Sequence, residues 1–136
     1  MTNTILSLAH SILVGVWGAE SSHSRDPRTF EFGHHAVGPL QVTAILCLDY
    51  NVHHEEADWL MWPHDFIVAE AWSNSVKVYE WTMTHYGPRL RQRPEDVTAR
   101  DLALLWRYGR KGCVDSHFSD PEGYWEMVQA RSTPQE

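Results

Sequence analysis

The sequence predicts a mainly α, single-domain protein, and three observations carry that prediction. Near the N-terminus, Ile5, Ala9, Ile12 and Val16 recur at helical spacing and share one narrow arc at about 100° per residue. Helix-length stretches follow at 40–50, 66–86 and 98–108, separated by segments rich in Gly, Pro and polar residues. The chain has 136 residues, of which 43% are hydrophobic and 21% charged, which suits one modest core. Residues 1–130 are read as this domain and 131–136 as a flexible tail.

The first helix is expected over 3–19, with Thr2 or Asn3 as its cap. Residues 21–38 read as a loop, with Gly33 and Gly38 as breakers. Within it, Thr29-Phe30-Glu31-Phe32 alternates and fits a short strand or hairpin edge, so a small β-hairpin or an irregular loop follows the first helix. Pro39 suits the first turn of a helix, and 40–50 reads as a mostly buried one. Residues 51–63 connect it to a helix over about 66–86, capped by Asp65. An Arg- and Pro-rich loop covers 87–97. Thr98 caps a helix through about Tyr108, with Gly109 and Gly112 marking the next turn. Asp120-Pro121 opens a last helix, ending near Ala130. Trp81 and Trp106, set among apolar residues, are expected in the core.

Composition excludes several classes. The net charge of -7 argues against nucleic acid as a partner. Arg89, Arg91, Arg93, Arg107, Arg110 and Lys111 gather in the second half as a candidate local basic rim. No apolar run is long enough for stable membrane insertion. The run at 4–19 lacks the positive flank of a signal peptide, and cleavage after it would destroy the first helix. The chain is therefore read as made in the cytoplasm without a signal peptide. Cys47 and Cys113 have no metal or redox spacing; two free thiols are favoured over a disulfide between them, which stays open. The histidines at 34–35, 53–54 and 64 tempt a metal reading, but none of these groups places two ligands at i and i+4 on one helix face. No metal and no cofactor are expected. A serine nucleophile would need a G-x-S-x-G elbow, which the sequence lacks.

Glu20 is the candidate for chemistry. It continues the apolar arc of Ile5, Ala9, Ile12 and Val16, so its carboxylate should be partly desolvated. Desolvation disfavours the charged form and raises the pKa, as a general acid near neutral pH requires. A glutamate at a helix C-terminus is also mildly disfavoured by the helix dipole, so its presence there asks for a reason.

Glu20-Ser21-Ser22, followed by Ala36-Val37-Gly38-Pro39-Leu40-Gln41-Val42, resembles the lysozyme-like superfamily of lytic transglycosylases and goose-type lysozymes. In that family a helix ends in Glu-Ser-Ser or Glu-Ser-Gly, and a Gly-Leu-Met-Gln or Gly-Pro-Leu-Gln turn follows. The segments 75–87, 104–112 and 124–128 resemble its central helix, its later aromatic segment and its closing helix. The resemblance implies a lysozyme-like domain that cleaves the MurNAc-GlcNAc β-1,4 bond of peptidoglycan glycan strands. Glu20 would be the general acid/base, and Ser22, Gln41, Arg107, Tyr108 and Tyr124 would meet the substrate. With no paired carboxylate in a motif, a lytic transglycosylase is expected ahead of a hydrolase. Asp26, Glu31 and Asp49 are the carboxylates a hydrolase would draw on. Delivery to a wall would then follow lysis, or use a phage particle or a secretion machine. Arg107 stands where the family carries asparagine, and a degenerate glycan-binding module is the alternative that this departure raises.

Overall fold

The computed structural model describes residues 2–24, 30–31, 36–54 and 59–133. The protein is mainly α, with five α-helices and one small antiparallel sheet among these residues. Helix α1 runs Thr2–Ser21, so Glu20 lies inside its last turn. Thr2 and Asn3 already belong to the helix, so neither is its cap, and the residue before them lies outside the described residues. Ile5, Ala9, Ile12 and Val16 are all buried, as their period requires.

The hairpin after α1 is a three-stranded sheet in the order β1 (Phe30–Glu31), β2 (Ala36–Val37) and β3 (Val42–Thr43). Phe30 pairs with Val37, and Val37 with Val42. Of the strand expected at 29–32, residues 29 and 32 lie outside the described residues. The turn between β2 and β3 is closed by Gln41 N–H donating to the Gly38 carbonyl at 3.1 Å. Gly38 has φ +81°, and a Cβ there would meet the Phe66 carbonyl oxygen at 2.5 Å, so only glycine fits. Pro39 therefore sits in this turn, not in the first turn of a helix as expected; the left-handed Gly38 and Gln41 interrupt any helix there. Helix α2 begins later, at Ala44–Val52, with Thr43 Oγ1 accepting from Leu46 N–H at 3.2 Å.

Helix α3 covers Ala71–Tyr86 and starts later than expected, because residues 64–66 form a separate 3-10 turn. Asp65 does not cap α3; its Oδ2 accepts from Met61 N–H at 2.7 Å. Helix α4 covers Ala99–Asp115, opened by the expected Thr98 cap in a reciprocal capping box with Asp101. Its backbone leaves helical geometry at Gly109 (φ 77°, ψ 164°) and then resumes, so the stop expected after Tyr108 is a kink. Helix α5 covers Tyr124–Ala130.

Helix α1 is central and packs against α3, α4 and α5. Its apolar face meets Tyr79 and Met83 of α3, Leu102 and Leu105 of α4, and Tyr124 and Val128 of α5. A Cβ at Gly15 would lie 2.2 Å from the Val128 carbonyl oxygen, so the absence of a side chain lets α5 approach α1 closely. Tyr79 is fully buried and donates to the Ala9 carbonyl at 2.6 Å, satisfying its polar tip within the core. A second cluster, with Val37, Val42, Cys47, Tyr50, Phe66 and Val78, lies under the sheet. Cys47 and Cys113 are free and buried, and burial pushes the Cys113 thiol up to about 11.

Two expectations need correcting. Trp106 and Trp81 are half-buried at the edges of these clusters, not within them. Arg131, placed in the tail, is docked: its guanidinium donates to the Gly18 carbonyl at 3.4 Å, and His23 Nε2 donates to its carbonyl at 2.9 Å. Residues 134–136 lie outside the described residues.

Candidate functional site

The close packing of α1, α4 and α5 brings three distant side chains together at the end of α1. The Glu20 side chain is only 6% exposed, as its place on the apolar arc leads one to expect. Tyr124 donates its hydroxyl to Glu20 Oε2 at 2.6 Å, and Arg107 Nη1 donates to Glu20 Oε1 at 3.4 Å. Burial, with the Glu20 carboxylate next in importance, holds the Tyr124 phenol well above its ordinary range. Arg107 belongs more firmly to Glu122. Its Nε reaches Glu122 Oε2 at 2.7 Å and its Nη2 reaches Oε1 at 3.1 Å, a bidentate fork. That fork raises the Arg107 pKa further and holds the Glu122 carboxyl below the usual carboxylate range.

Asp120 secures the junction of α4 and α5. It accepts the Tyr108 hydroxyl at 2.6 Å and the backbone N–H groups of Tyr124 and Trp125 at 2.9 and 2.8 Å. Burial would push its carboxyl up, but these hydrogen bonds outweigh it and hold the group low. The Tyr108 phenol is pushed up to about 12, first by burial and then by its bond to Asp120. The start of α5, and with it Tyr124, is thereby fixed against the segment that carries Arg107.

The Gly-Pro-Leu-Gln turn meets the end of α1 through Ser21. Its hydroxyl donates to the Pro39 carbonyl at 2.8 Å. Gln41 is 8% exposed, has φ 56° and donates through Nε2 to the Gly38 carbonyl at 2.9 Å. Its Oε1 is buried and has no hydrogen-bond partner among the described residues. A buried acceptor left unpaired is costly and asks for an explanation.

These groups line one cavity of about 310 Å³. Glu20, Arg107 and Glu122 supply its charge; Gln41, Thr43, Trp106 and Tyr108 supply polar and aromatic walls, and Ala36 closes one side. Trp106 is held in place by its N–H, which donates to the Leu40 carbonyl at 3.1 Å. A wider groove of about 740 Å³ adjoins the cavity and shares Gln41, Thr43, Trp106, Arg107 and Tyr108 with it.

Of the residues singled out in the sequence, Glu20, Gln41, Arg107 and Tyr108 line the cavity, and Tyr124 supports Glu20 from behind. Ser22 does not join them. It is exposed, with a left-handed φ of 53°, and its hydroxyl accepts from Arg131 at 3.3 Å; the neighbouring Ser21 turns instead to the Pro39 carbonyl. Among the carboxylates considered for a hydrolase, Asp26 lies outside the described residues, as does the Glu31 side chain. Asp49 accepts the Tyr86 hydroxyl at 2.6 Å and lines the wider groove. The carboxylate that does share the cavity with Glu20 is Glu122, which the sequence reading missed. Its only local signal was the acidic Asp-Pro-Glu before α5. Among the described residues no group of three His, Cys, Asp or Glu is arranged to hold a metal ion, and no helix is long and apolar enough to cross a membrane. His34, His35, Glu55 and Glu56 lie outside the described residues.

Fold and site together define a mainly α domain with a buried glutamate at the head of a groove. Compared with models of protein families, with curated proteins and with solved structures, the chain matches none.

Proposed function

We propose that this protein cleaves the glycan strand of peptidoglycan at the MurNAc-GlcNAc β-1,4 bond, as a lytic transglycosylase with Glu20 as its general acid/base. The observation that carries the reading is the placement of a buried Glu20 and of Gln41, whose Oε1 has no partner among the described residues, on one cavity that adjoins a wider groove. Those are the two halves of the motif from which the resemblance was drawn, and they meet in space through Ser21 and Pro39.

The chemistry follows from the two oxygens of Glu20. Tyr124 holds Oε2, which orients the carboxyl group. Oε1, which accepts from Arg107 at the longer distance of 3.4 Å, is taken as the oxygen that meets the substrate. Protonated Glu20 gives its proton to the glycosidic oxygen as the bond from that oxygen to C1 of MurNAc breaks. The carboxylate then takes the proton of the MurNAc C6 hydroxyl as that oxygen bonds to C1. The product is a 1,6-anhydro end, and Glu20 is protonated again. Arg107 must leave Oε1 for the leaving oxygen to enter, and its fork to Glu122 gives it a place to stay. No cofactor is needed.

A second reading rests on one specific observation. Arg107, in the position where the similar family has asparagine, pairs directly with Glu20. A glycan-binding module with its acid blocked would look this way. Digestion of purified peptidoglycan, with products read by mass spectrometry, separates the readings. Anhydro-muramyl ends from the parent and none from Glu20→Gln support the transglycosylase. Reducing ends, heavier by one water, make it a muramidase, with Glu122 as the second carboxylate. Binding to the wall without products, and products only from Arg107→Asn, establish the blocked module.

A further inference from the structure

Arg107 stands between two carboxylates and is not shared evenly. Its Nε–Nη2 edge grips Glu122, at 2.7 and 3.1 Å, while Nη1 reaches Glu20 Oε1 at 3.4 Å. The imbalance runs against burial. The Glu20 side chain is 6% exposed and that of Glu122 47%, and a charge pair gains more where water is excluded. The grip on Glu122 therefore holds the guanidinium back from the partner that Coulomb attraction favours. A guanidinium is planar and rigid, so whatever holds one edge sets the reach of the remaining nitrogen. The guanidinium carbon also lies over the Tyr124 ring, 5.7 Å from its centre, so the ring that supports Glu20 backs the arginine too.

Charge balance points the same way. A general acid must hold a proton before it acts, and a cation paired fully with Glu20 would drive that proton off. Arg107 and Glu122 neutralise each other and leave the cavity able to hold a neutral Glu20. The Glu122 bond is the first cause of the rise in the Arg107 pKa, ahead of the Glu20 charge, and the Arg107 bond is the first cause that holds Glu122 low. Among the described residues, the titratable groups set around Glu20 come from each element packed there: Arg107 and Tyr108 from α4, Glu122 from the turn before α5, and Tyr124 from α5. The turn and sheet on the other side present Gln41 and Thr43, which do not titrate.

We propose that Glu122 is a positioning residue: by gripping one edge of Arg107 it keeps the guanidinium off Glu20, so that Glu20 can carry the proton it donates. The proposal rests on the reading of Glu20 as a general acid and adds the group that controls it. The arrangement belongs to this chain, since the similar family has asparagine where Arg107 stands.

The test follows the Glu20 proton directly. The carboxyl carbon of Glu20 in isotope-labelled protein, identified as the NMR signal missing from Glu20→Gln, is titrated with pH in the parent, Glu122→Gln, Arg107→Gln and the double variant. Glu122→Gln, at an exposed position, is expected to fold as the parent does and to hold the Glu20 proton about tenfold less tightly, the scale of an opposite charge brought into contact. Arg107→Gln is expected to hold it about tenfold more tightly. With Arg107 gone, Glu122→Gln is expected to lose most of its effect, because a positioning residue acts only through the group it positions. A Glu20 titration unchanged by Glu122→Gln overturns the proposal. So does an equal drop with and without Arg107, which would make Glu122 a neighbouring charge acting directly on Glu20. Cleavage of peptidoglycan gives a second readout. Where the parent cleaves, the alkaline limb of its pH profile is expected to move down by about one pH unit in Glu122→Gln, and a limb that stays in place overturns the role. Where the parent cleaves nothing, the transglycosylase reading falls, and the Glu20 titration still upholds or overturns the control by Glu122.

Discussion

The Tyr124 hydroxyl donates to Glu20 Oε2 at 2.6 Å, across 104 positions of the chain. This contact makes the buried carboxylate tolerable, because a charge taken from water needs donors. Tyr124→Phe keeps the ring and removes the hydroxyl that donates to Oε2. It is expected to destabilise the fold by about 1.5–3 kcal/mol, the scale of one hydrogen bond to a charged group. Urea denaturation measures this, and a change below about 0.5 kcal/mol, ordinary for an exposed site, would show that the bond carries no load.

Glu20→Gln keeps shape and can still accept from Tyr124. It is expected to retain a native circular dichroism spectrum and to lose turnover by about 10²-fold or more, since the amide cannot give up a proton in the transition state. Undiminished wall cleavage by this variant removes Glu20 from the chemistry.

Gln41 separates backbone strain from chemistry. Its φ of 56° suits glycine better than glutamine, and its side chain is buried at the cavity. Gln41→Gly relieves the strain but gives up the bond to Gly38, so stability should stay within about 1 kcal/mol of the parent. Turnover should fall at least about tenfold, the scale of one lost polar contact to substrate. A variant that cleaves as the parent does places Gln41 outside the site. Pro39→Ala, in the same turn, is expected to be nearly silent for chemistry.

Gly15 controls whether α5 can reach α1. Gly15→Ala puts a Cβ 2.2 Å from the Val128 carbonyl oxygen, against backbone that cannot rotate away. A loss of about 1–3 kcal/mol is expected from overpacking, together with reduced turnover, because Tyr124 begins the helix that must move. Thermal melting read beside activity tests both, and an unchanged melting temperature would show that α5 is free to shift.

The pH dependence follows from groups shifted in opposite senses. Asp120 and Glu122 have folded pKa values below their unfolded ones. Above the unfolded carboxylate range their bonds stabilise the fold, and that contribution is lost as pH falls through the lower folded values, below about pH 4. Tyr108 is raised to about 12, so the folded chain keeps a proton that the unfolded chain releases near pH 10. Stability should therefore also fall as pH rises from about 10 to 12. Glu122→Gln is expected to flatten the acid limb of a urea-midpoint profile, and Tyr108→Phe the alkaline limb. Limbs unchanged in these variants would assign the acid and alkaline losses to other groups.

Much of this molecule was legible because it is local. The period of Ile5, Ala9, Ile12 and Val16 placed α1 and aimed Glu20 inward, since a helix face is set by residues three and four apart. Thr98 marked the start of α4 for the same reason: a cap acts within one turn. Where local signals failed, a partner lay elsewhere. Pro39 read as a helix start because the sequence does not reveal the left-handed φ at Gly38 and Gln41, which is fixed in part by the Phe66 carbonyl packed on the glycine. Trp106 read as core because its neighbours are apolar, yet its N–H is committed to the Leu40 carbonyl at the cavity wall.

A mainly α domain and a desolvated Glu20 could be read from residues alone, because helical period and burial are written in short-range pattern. Which groups Glu20 meets is settled by the packing of the helices. Tyr124, Arg107 and Glu122 stand far along the chain, and their arrival depends on the close seating of α5 at Gly15 and on the Asp120 clasp that joins α4 to α5. Ion pairs and hydrogen bonds act over a few ångströms in space, whatever the separation in sequence, so their partners exist only once the helices have packed.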